Sequence, residues 1–164
     1  MARILFVGGG ARARSLAASL VSEGHAVRIT TRSEARRAAI EAVGAECWVG
    51  TPARLASLRY ALENVTIAGW LLGTAIGTAE ELDALYGSRL AFFCSQTIDT
   101  TVRGLLYEGS GCVDRGLLTA GAQLVAAKAA FNEIPLRILA ADPAEAELWQ
   151  AGARGAIAEL LGRA

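Results

Sequence analysis

The stretch Val7-Gly8-Gly9-Gly10-Ala11-Arg12-Ala13 decides the fold of this chain. Gly8, Gly10 and Ala13 form a G-x-G-x-x-A pattern between an apolar run and a predicted helix. The first glycine permits a tight turn, the second lets backbone approach a pyrophosphate, and a small residue at the third position lets the helix pack on the strand. The pattern predicts the first strand-to-helix turn of a nucleotide-binding domain.

This turn supplies the first group of predicted ligand-binding residues. A helix that starts here presents free backbone N–H groups and the positive end of its dipole to a phosphate. The alternative interpretation is that the glycines only make a tight turn. The predicted cofactor-binding residues of this group are Gly8, Gly9, Gly10, Ala11, Arg12 and Ala13.

Short apolar strands alternate with helical patterns along the rest of the chain. Residues 90–98 fit either a strand or a helix, and a helix is preferred because 102–108 is the better strand. Strands are predicted at 3–7, 26–31, 46–49, 66–72, 102–108 and 136–140. Helices are predicted at 11–23, 33–43, 55–63, 90–98 and 117–131, one that opens at 78 and includes Leu82 and Leu85, and one after 142. This alternation predicts one α/β domain over residues 1–164, a doubly wound, Rossmann-like parallel sheet of about six strands.

Three helix starts carry their own signals. Ser33 is a predicted N-cap, and Thr78-Ala79-Glu80-Glu81 is a predicted capping box. Asp142 is predicted to cap the last helix, with Pro143 at its first position.

The end of the second strand indicates which nucleotide binds. NAD-binding domains usually carry Asp or Glu about 20 residues after the glycines, where it holds the ribose 2′-hydroxyl. Here the sequence reads Thr31-Arg32-Ser33, and Arg36 follows one helical turn after Arg32. Guanidinium groups match phosphate oxygens in a forked geometry, so Thr31, Arg32, Ser33 and Arg36 predict a pocket for the 2′-phosphate of NADP. The alternative is that both arginines are solvated surface charges.

Composition excludes several classes of function. Sixteen basic and sixteen acidic residues give zero formal net charge, which argues against nucleic acid or an anionic membrane as partner. One histidine and three separated cysteines predict no metal site, and the cysteines are expected to be buried thiols in a reducing compartment. The apolar run of four residues at 4–7 is too short for a signal peptide, so a cytoplasmic protein is expected.

The ordered series of segments resembles the atypical short-chain dehydrogenases/reductases, in the branch of epimerase-like, NmrA-like and flavin- or biliverdin-reductase-like proteins. The resemblance covers about the first 75 residues. It is carried by the glycine turn and by the segments Gly24-His25-Ala26-Val27-Arg28, Thr31-Arg32, Gly44-Ala45-Glu46-Cys47-Trp48-Val49-Gly50, Ser57-Leu58-Arg59-Tyr60-Ala61-Leu62-Glu63-Asn64-Val65 and Leu71-Leu72-Gly73. By this resemblance Thr51, Leu72 and Gly73 are further cofactor-binding residues.

The chain departs from that family in two ways. The family often carries an aspartate after the glycine that ends the third strand, and here Thr51-Pro52 stands in that place. The Tyr-x-x-x-Lys pair is missing, because Lys128 is the only lysine and Leu124 lies four residues before it. A proton relay through a lysine-activated tyrosine is therefore excluded.

Tyr107 is the predicted catalytic residue, because it lies near the end of the fifth strand, where the family places residues beside the nicotinamide. The alternative is that Tyr107 packs in the core with its hydroxyl satisfied.

Two functions remain open at this point. One is a small NADPH-dependent oxidoreductase that acts on a flavin-like or other flat acceptor, with a small-molecule substrate. The other is a non-catalytic NADP-binding redox sensor or regulatory protein that resembles NmrA-like proteins and needs no substrate. Apolar excess and three tryptophans also favour a helical face buried in a homodimer.

Overall fold

The computed structural model describes residues 1–163. Within that range the strands are β1 (Arg3–Gly8), β2 (Ala26–Thr31), β3 (Glu46–Val49), β4 (Ile67–Leu71), β5 (Gly104–Glu108) and β6 (Leu136–Leu139). The α-helices are α1 (Gly10–Ser22), α2 (Arg37–Glu41), α3 (Ala79–Tyr86), α4 (Ser88–Gln96), α5 (Arg115–Phe131) and α6 (Ala146–Arg163). Short 3-10 helices cover Glu34–Arg36, Leu55–Leu58 and Tyr60–Leu62.

The strands form one parallel sheet in the order β3-β2-β1-β4-β5-β6. The order reverses between β1 and β4, where Phe6 lies opposite Ile29 on one side and Gly69 on the other. Open α/β sheets bind ligands at such a reversal, beyond the carboxyl ends of the strands. The predicted doubly wound, Rossmann-like fold is confirmed.

Helices cover both faces of the sheet because side chains alternate along each strand. Ile4 and Phe6 belong to a core with residues of α1, α2 and α6. Leu5 and Val7 belong to the opposite core, with residues of α3, α4, α5 and the 3-10 helices. β1 is therefore buried on both faces, as its continuous apolar sequence predicts.

Two of the three predicted helix starts are confirmed. Ser33 Oγ accepts a hydrogen bond from Ala35 N at 3.2 Å. Thr78 Oγ1 accepts from Glu81 N at 3.2 Å, and Glu81 Oε2 accepts from Thr78 N at 2.9 Å, which completes the capping box. Residues 90–98, ambiguous in sequence, fall largely in helix α4.

Residues 55–63, predicted to be helical, form two 3-10 helices. Two local predictions were wrong. Asp142 does not cap α6, because its Oδ1 accepts from Ala144 N in a local turn and the helix begins only at Ala146. Cys112 is exposed, because it lies in the loop after β5, whereas Cys47 and Cys94 are buried.

Among residues 1–163, no helix is both long and apolar enough to span a bilayer.

Candidate functional site

Three consecutive glycines at the junction of β1 and α1 have positive φ angles, 78° at Gly8, 97° at Gly9 and 53° at Gly10. A Cβ at Gly8 would lie 2.3 Å from Leu72 Cδ2, and one at Gly9 would lie 2.5 Å from Ala13 Cβ. A Cβ at Gly10 would meet no atom within 4 Å. The first two glycines are therefore required by packing, whereas Gly10 keeps open a space in front of the turn.

The amino end of α1 has no side-chain cap. Its N-cap residue is Gly9, which has no side chain, and the first intrahelical bond runs from Ala13 N to Gly9 O at 3.2 Å. The first N–H groups of the helix thus lack a capping side chain, and together with the helix dipole they make a site suited to an anion.

A cleft of about 600 Å³ opens beside this turn, over the carboxyl ends of β1, β2 and β3 and beneath the segment that follows β4. Eight of the predicted binding residues line it, namely Gly8, Gly10, Thr31, Arg32, Ser33, Arg36, Thr51 and Leu72. The other lining residues are Val7, Arg14, Ile29, Thr30, Ile40, Gly50, Pro52, Ala53, Ala75, Ile76, Gly77, Glu81, Leu82, Leu85 and Arg89. The cleft thus combines apolar walls with several cationic groups.

The loop after β2 is ordered by its own hydroxyl groups. Thr31 Oγ1 accepts from Ser33 N at 3.2 Å and lies 3.3 Å from Ser33 O, to which it donates. Ser33 Oγ accepts from Ala35 N, so its own hydroxyl proton stays available. Thr31 thus shapes the loop, and Ser33 retains a donor at the cleft.

Arg32 and Arg36 are exposed and line this cleft together. Among residues 1–163, no ion pair or side-chain hydrogen bond engages either guanidinium. The nearest acid in sequence, Glu34, pairs instead with Arg37, which also pairs with Glu41. The hydrogen bond from Arg37 lowers the pKa of Glu34, so this carboxylate is committed elsewhere. Two cationic groups therefore remain available to a ligand.

The loop after β3 forms the opposite wall and is held from two sides. Thr51 N donates to Ser57 Oγ at 2.8 Å, and Ser57 Oγ donates to Thr51 O at 3.0 Å. Arg89 Nη1 in α4 donates to Pro52 O at 2.9 Å. Thr51 occupies the position where the resembled family often has an aspartate. It therefore provides a neutral side chain on a loop that hydrogen bonds hold in place.

The side chain of Arg12 turns away from the cleft, toward Glu108 at the end of β5. Arg12 Nε donates to Glu108 Oε2 at 2.9 Å and Nη2 donates to Oε1 at 2.5 Å. Nη1 donates to Thr74 Oγ1 at 2.9 Å, and the guanidinium lies 5.5 Å from the Trp149 ring centroid. Arg12 therefore contributes its backbone to the turn, while its side chain ties α1 to β5.

Glu108 is fully buried and is saturated by donors. Besides Arg12, it accepts from Gly73 N at 2.7 Å and from Trp149 Nε1 at 2.7 Å. Gly73, a predicted binding residue, therefore uses its N–H internally and is not among the residues that line the cleft. The cluster of Arg12, Gly73, Glu108 and Trp149 is here called the Glu108 cluster.

The catalytic assignment of Tyr107 has no support in the geometry. Its side chain is fully buried, and its hydroxyl donates to Leu118 O at 2.8 Å. Burial raises the pKa of this phenol, which makes it a poorer proton donor. Alternation along β5 turns Tyr107 into the core under α5, which is the packing alternative.

Two cationic lining residues, Arg14 and Arg89, were not predicted from the sequence. Arg14 lies four residues after Gly10, so helical spacing could have placed it on the face of α1 next to the turn. Arg89 carries no local signal, because α4 reaches the cleft only through the tertiary fold.

Comparison with protein-family models gives no match, and comparison with curated protein sequences gives none. Solved structures do share the fold. A putative NAD-dependent epimerase/dehydratase from Bacillus halodurans superposes with a TM-score of 0.71 at 18% identity, covering 87% of this chain and 71% of that one. The resemblance to short-chain dehydrogenases/reductases and epimerases is thus confirmed for the fold.

Two further neighbours are longer enzymes. Vestitone reductase from alfalfa (Medicago sativa L.) gives a TM-score of 0.65 at 14% identity, covering 84% of this chain and 56% of that one. UDP-glucose 4-epimerase from Bifidobacterium longum, solved in complex with NAD+ and UDP, gives a TM-score of 0.66 at 12% identity. The match covers 83% of this chain and 52% of that one. This chain therefore spans about half the length of these two enzymes.

Proposed function

We propose that this chain binds NADP(H) in the cleft beside the glycine turn and prefers it to NAD(H). The observation that carries the proposal is the pair Arg32 and Arg36, which line the cleft without a protein partner among residues 1–163. No acidic side chain takes the position where a carboxylate would hold a ribose 2′-hydroxyl.

The residues present fit such a cofactor at two points. The open space in front of Gly10 and the uncapped amino end of α1 suit a pyrophosphate. Arg32, Arg36 and the hydroxyl of Ser33 suit a dianionic ribose phosphate. When bound, the cofactor would supply hydride chemistry, and the chain's own residues would hold and orient it.

Within that proposal we favour a non-catalytic binding protein. Tyr107 and Glu108, the side chains of β5 nearest its carboxyl end, are fully buried and hydrogen-bonded within the protein. Lys128 lies in the last turn of α5 and does not line the cleft. No other lysine exists to lower the pKa of a catalytic phenol.

Calorimetric titration of the purified chain tests the binding proposal. The expected result is saturable one-to-one binding of NADP+ with at least tenfold weaker binding of NAD+. Failure of NADP+ to bind, or equal affinity for both cofactors, would overturn the proposal.

A panel of flat acceptors tests the absence of catalysis. We expect no consumption of NADPH above the rate without protein when a flavin, a quinone or a tetrapyrrole is offered at saturating NADPH. Steady turnover with any of them would establish the alternative, an NADPH-dependent oxidoreductase.

A further inference from the structure

The carboxyl edge of the sheet is open over one half and closed over the other. Among residues 1–163, those lining the cleft lie between Val7 and Arg89, and none belongs to β5, β6 or the loops after them. Rossmann domains consist of two mononucleotide-binding halves that meet where the strand order reverses. Here the cleft lies over the half formed by β1, β2 and β3, with the segment after β4.

Backbone contacts close the other half. Val113 N donates to Gly73 O at 3.1 Å. A Cβ at Gly73 would lie 2.2 Å from Ser110 O, and one at Gly111 would lie 2.0 Å from Gly73 O. The loops that follow β4 and β5 therefore touch through glycines, at a separation that excludes an aromatic ring between them.

The Glu108 cluster fills the space beneath that contact. Glu108 accepts hydrogen bonds from Arg12, Gly73 and Trp149, and both it and Trp149 are fully buried. Turning Glu108 toward a ligand would break these hydrogen bonds and leave the half-buried Arg12 guanidinium without its counter-charge. Neither Tyr107 nor Glu108, the last two residues of β5, therefore has a polar side-chain atom free to contact a nicotinamide.

We infer that this chain recognises a ribose-phosphorylated adenosine diphosphate group and makes no specific contact with the nicotinamide end of the dinucleotide. This inference rests on the proposed function and narrows it. NADP+ and NADPH then bind equally, because they differ only in the nicotinamide ring. The protein therefore responds to the amount of NADP(H) rather than to its redox state.

Calorimetry tests this inference with four ligands: NADP+, NADPH, nicotinamide mononucleotide and adenosine 2′,5′-diphosphate. The last of these retains only one phosphate of the pyrophosphate. We expect NADP+ and NADPH to bind within twofold of each other, and adenosine 2′,5′-diphosphate to bind saturably but more weakly, because it lacks one phosphate. Nicotinamide mononucleotide should not bind. Arg32→Ala should weaken NADP+ and adenosine 2′,5′-diphosphate by the same factor, because its contact belongs to the part they share.

Saturation-transfer NMR of bound NADP+ gives a second readout. The adenine protons should receive at least three times the saturation of the nicotinamide protons. A tenfold difference in affinity between NADP+ and NADPH, or equal saturation of both rings, would overturn this inference and leave the proposed function standing. Absence of binding by both NADP+ and adenosine 2′,5′-diphosphate would overturn the two together.

Discussion

Arg12 in the first turn of α1 forms a two-point ion pair with Glu108 at the end of β5. The Nε–Oε2 distance is 2.9 Å and the Nη2–Oε1 distance is 2.5 Å. The Glu108 side chain is fully buried and that of Arg12 is 16% exposed. This pair connects the amino end of α1 to the second half of the sheet. It also keeps both charged groups out of the cleft.

Glu108→Gln should destabilise the fold strongly. The amide keeps the size of the side chain but leaves the Arg12 guanidinium without its counter-charge, and breaking a buried pair costs about 3–5 kcal/mol. For a domain of this size that corresponds to a decrease in Tm of about 6–20 °C, measured by calorimetry or circular dichroism. Glu63→Gln, at an exposed glutamate, is the matched control and should shift Tm by less than about 2 °C. Equal Tm values for the two variants would show that the pair does not stabilise the fold.

Gly10→Ala should weaken NADP+ binding by more than tenfold while sparing the fold. The added methyl meets no protein atom but enters the space in front of the turn, and its φ of 53° costs about 1–2 kcal/mol. Gly24→Ala is the matched control, because Gly24 also has a positive φ and open space but lies at the other end of α1.

Both glycine variants should lose a similar few degrees of Tm, and only Gly10→Ala should weaken NADP+ by more than tenfold. Unchanged affinity in Gly10→Ala would remove the glycine turn from the binding site.

One thiol should react rapidly with Ellman's reagent at pH 8. Cys112 is exposed, whereas burial raises the pKa of Cys94 to about 11 and also raises that of Cys47. A thiol of pKa 11 is only about 0.1% thiolate at pH 8, and the thiolate is the nucleophile. Cys112→Ser should abolish the rapid phase. A rapid phase of two or three thiols per chain would contradict the burial of Cys47 and Cys94.

Because the pKa of Cys94 is raised in the folded state, the free energy of unfolding should fall as the pH rises above 9. The folded state holds this proton more tightly than the unfolded chain, whose thiol has an ordinary pKa near 9.0. The stability that the protonated Cys94 thiol contributes is complete below pH 9 and is lost as the pH rises toward 11. Denaturant unfolding at pH 8 and pH 10.5 should therefore show lower stability at the higher pH, and Cys94→Ala should reduce that difference.

The fold could be predicted from the sequence because the features that define it depend on residues close together in the chain. Apolar strands buried on both faces, the glycine turn at residues 8–10 and the capping box at Thr78 all depend on residues close in the chain. The arginines at the end of β2 could be found because a strand end and one helical turn fix their place. What sequence could not reach was long-range pairing. The sequence predicts that Arg12 binds the ligand. Its actual partner, Glu108, lies 96 residues away in the chain, and no local pattern indicates this pairing.

The Tyr107 assignment failed for a related reason. Position along β5 could be predicted, but the face of the strand on which the side chain lies depended on which helix packs there. Because α5 covers that face, the hydroxyl meets Leu118 O rather than solvent.

The most direct test of the central claim is cofactor selectivity in the variants Arg32→Ala and Arg36→Ala, measured by calorimetry with NADP+ and NAD+ at low and moderate salt. Each charge-assisted hydrogen bond contributes about 1.5–3 kcal/mol, so the two together favour NADP+ by about 10²-fold, less at higher salt. Arg103→Ala is the control, since Arg103 is exposed at the opposite edge of the sheet. Each cleft variant should lose at least fivefold in affinity for NADP+ with NAD+ nearly unchanged, and the control should change neither. Equal affinity of the wild-type chain for both cofactors, or cleft variants that match Arg103→Ala, would contradict the two-arginine site.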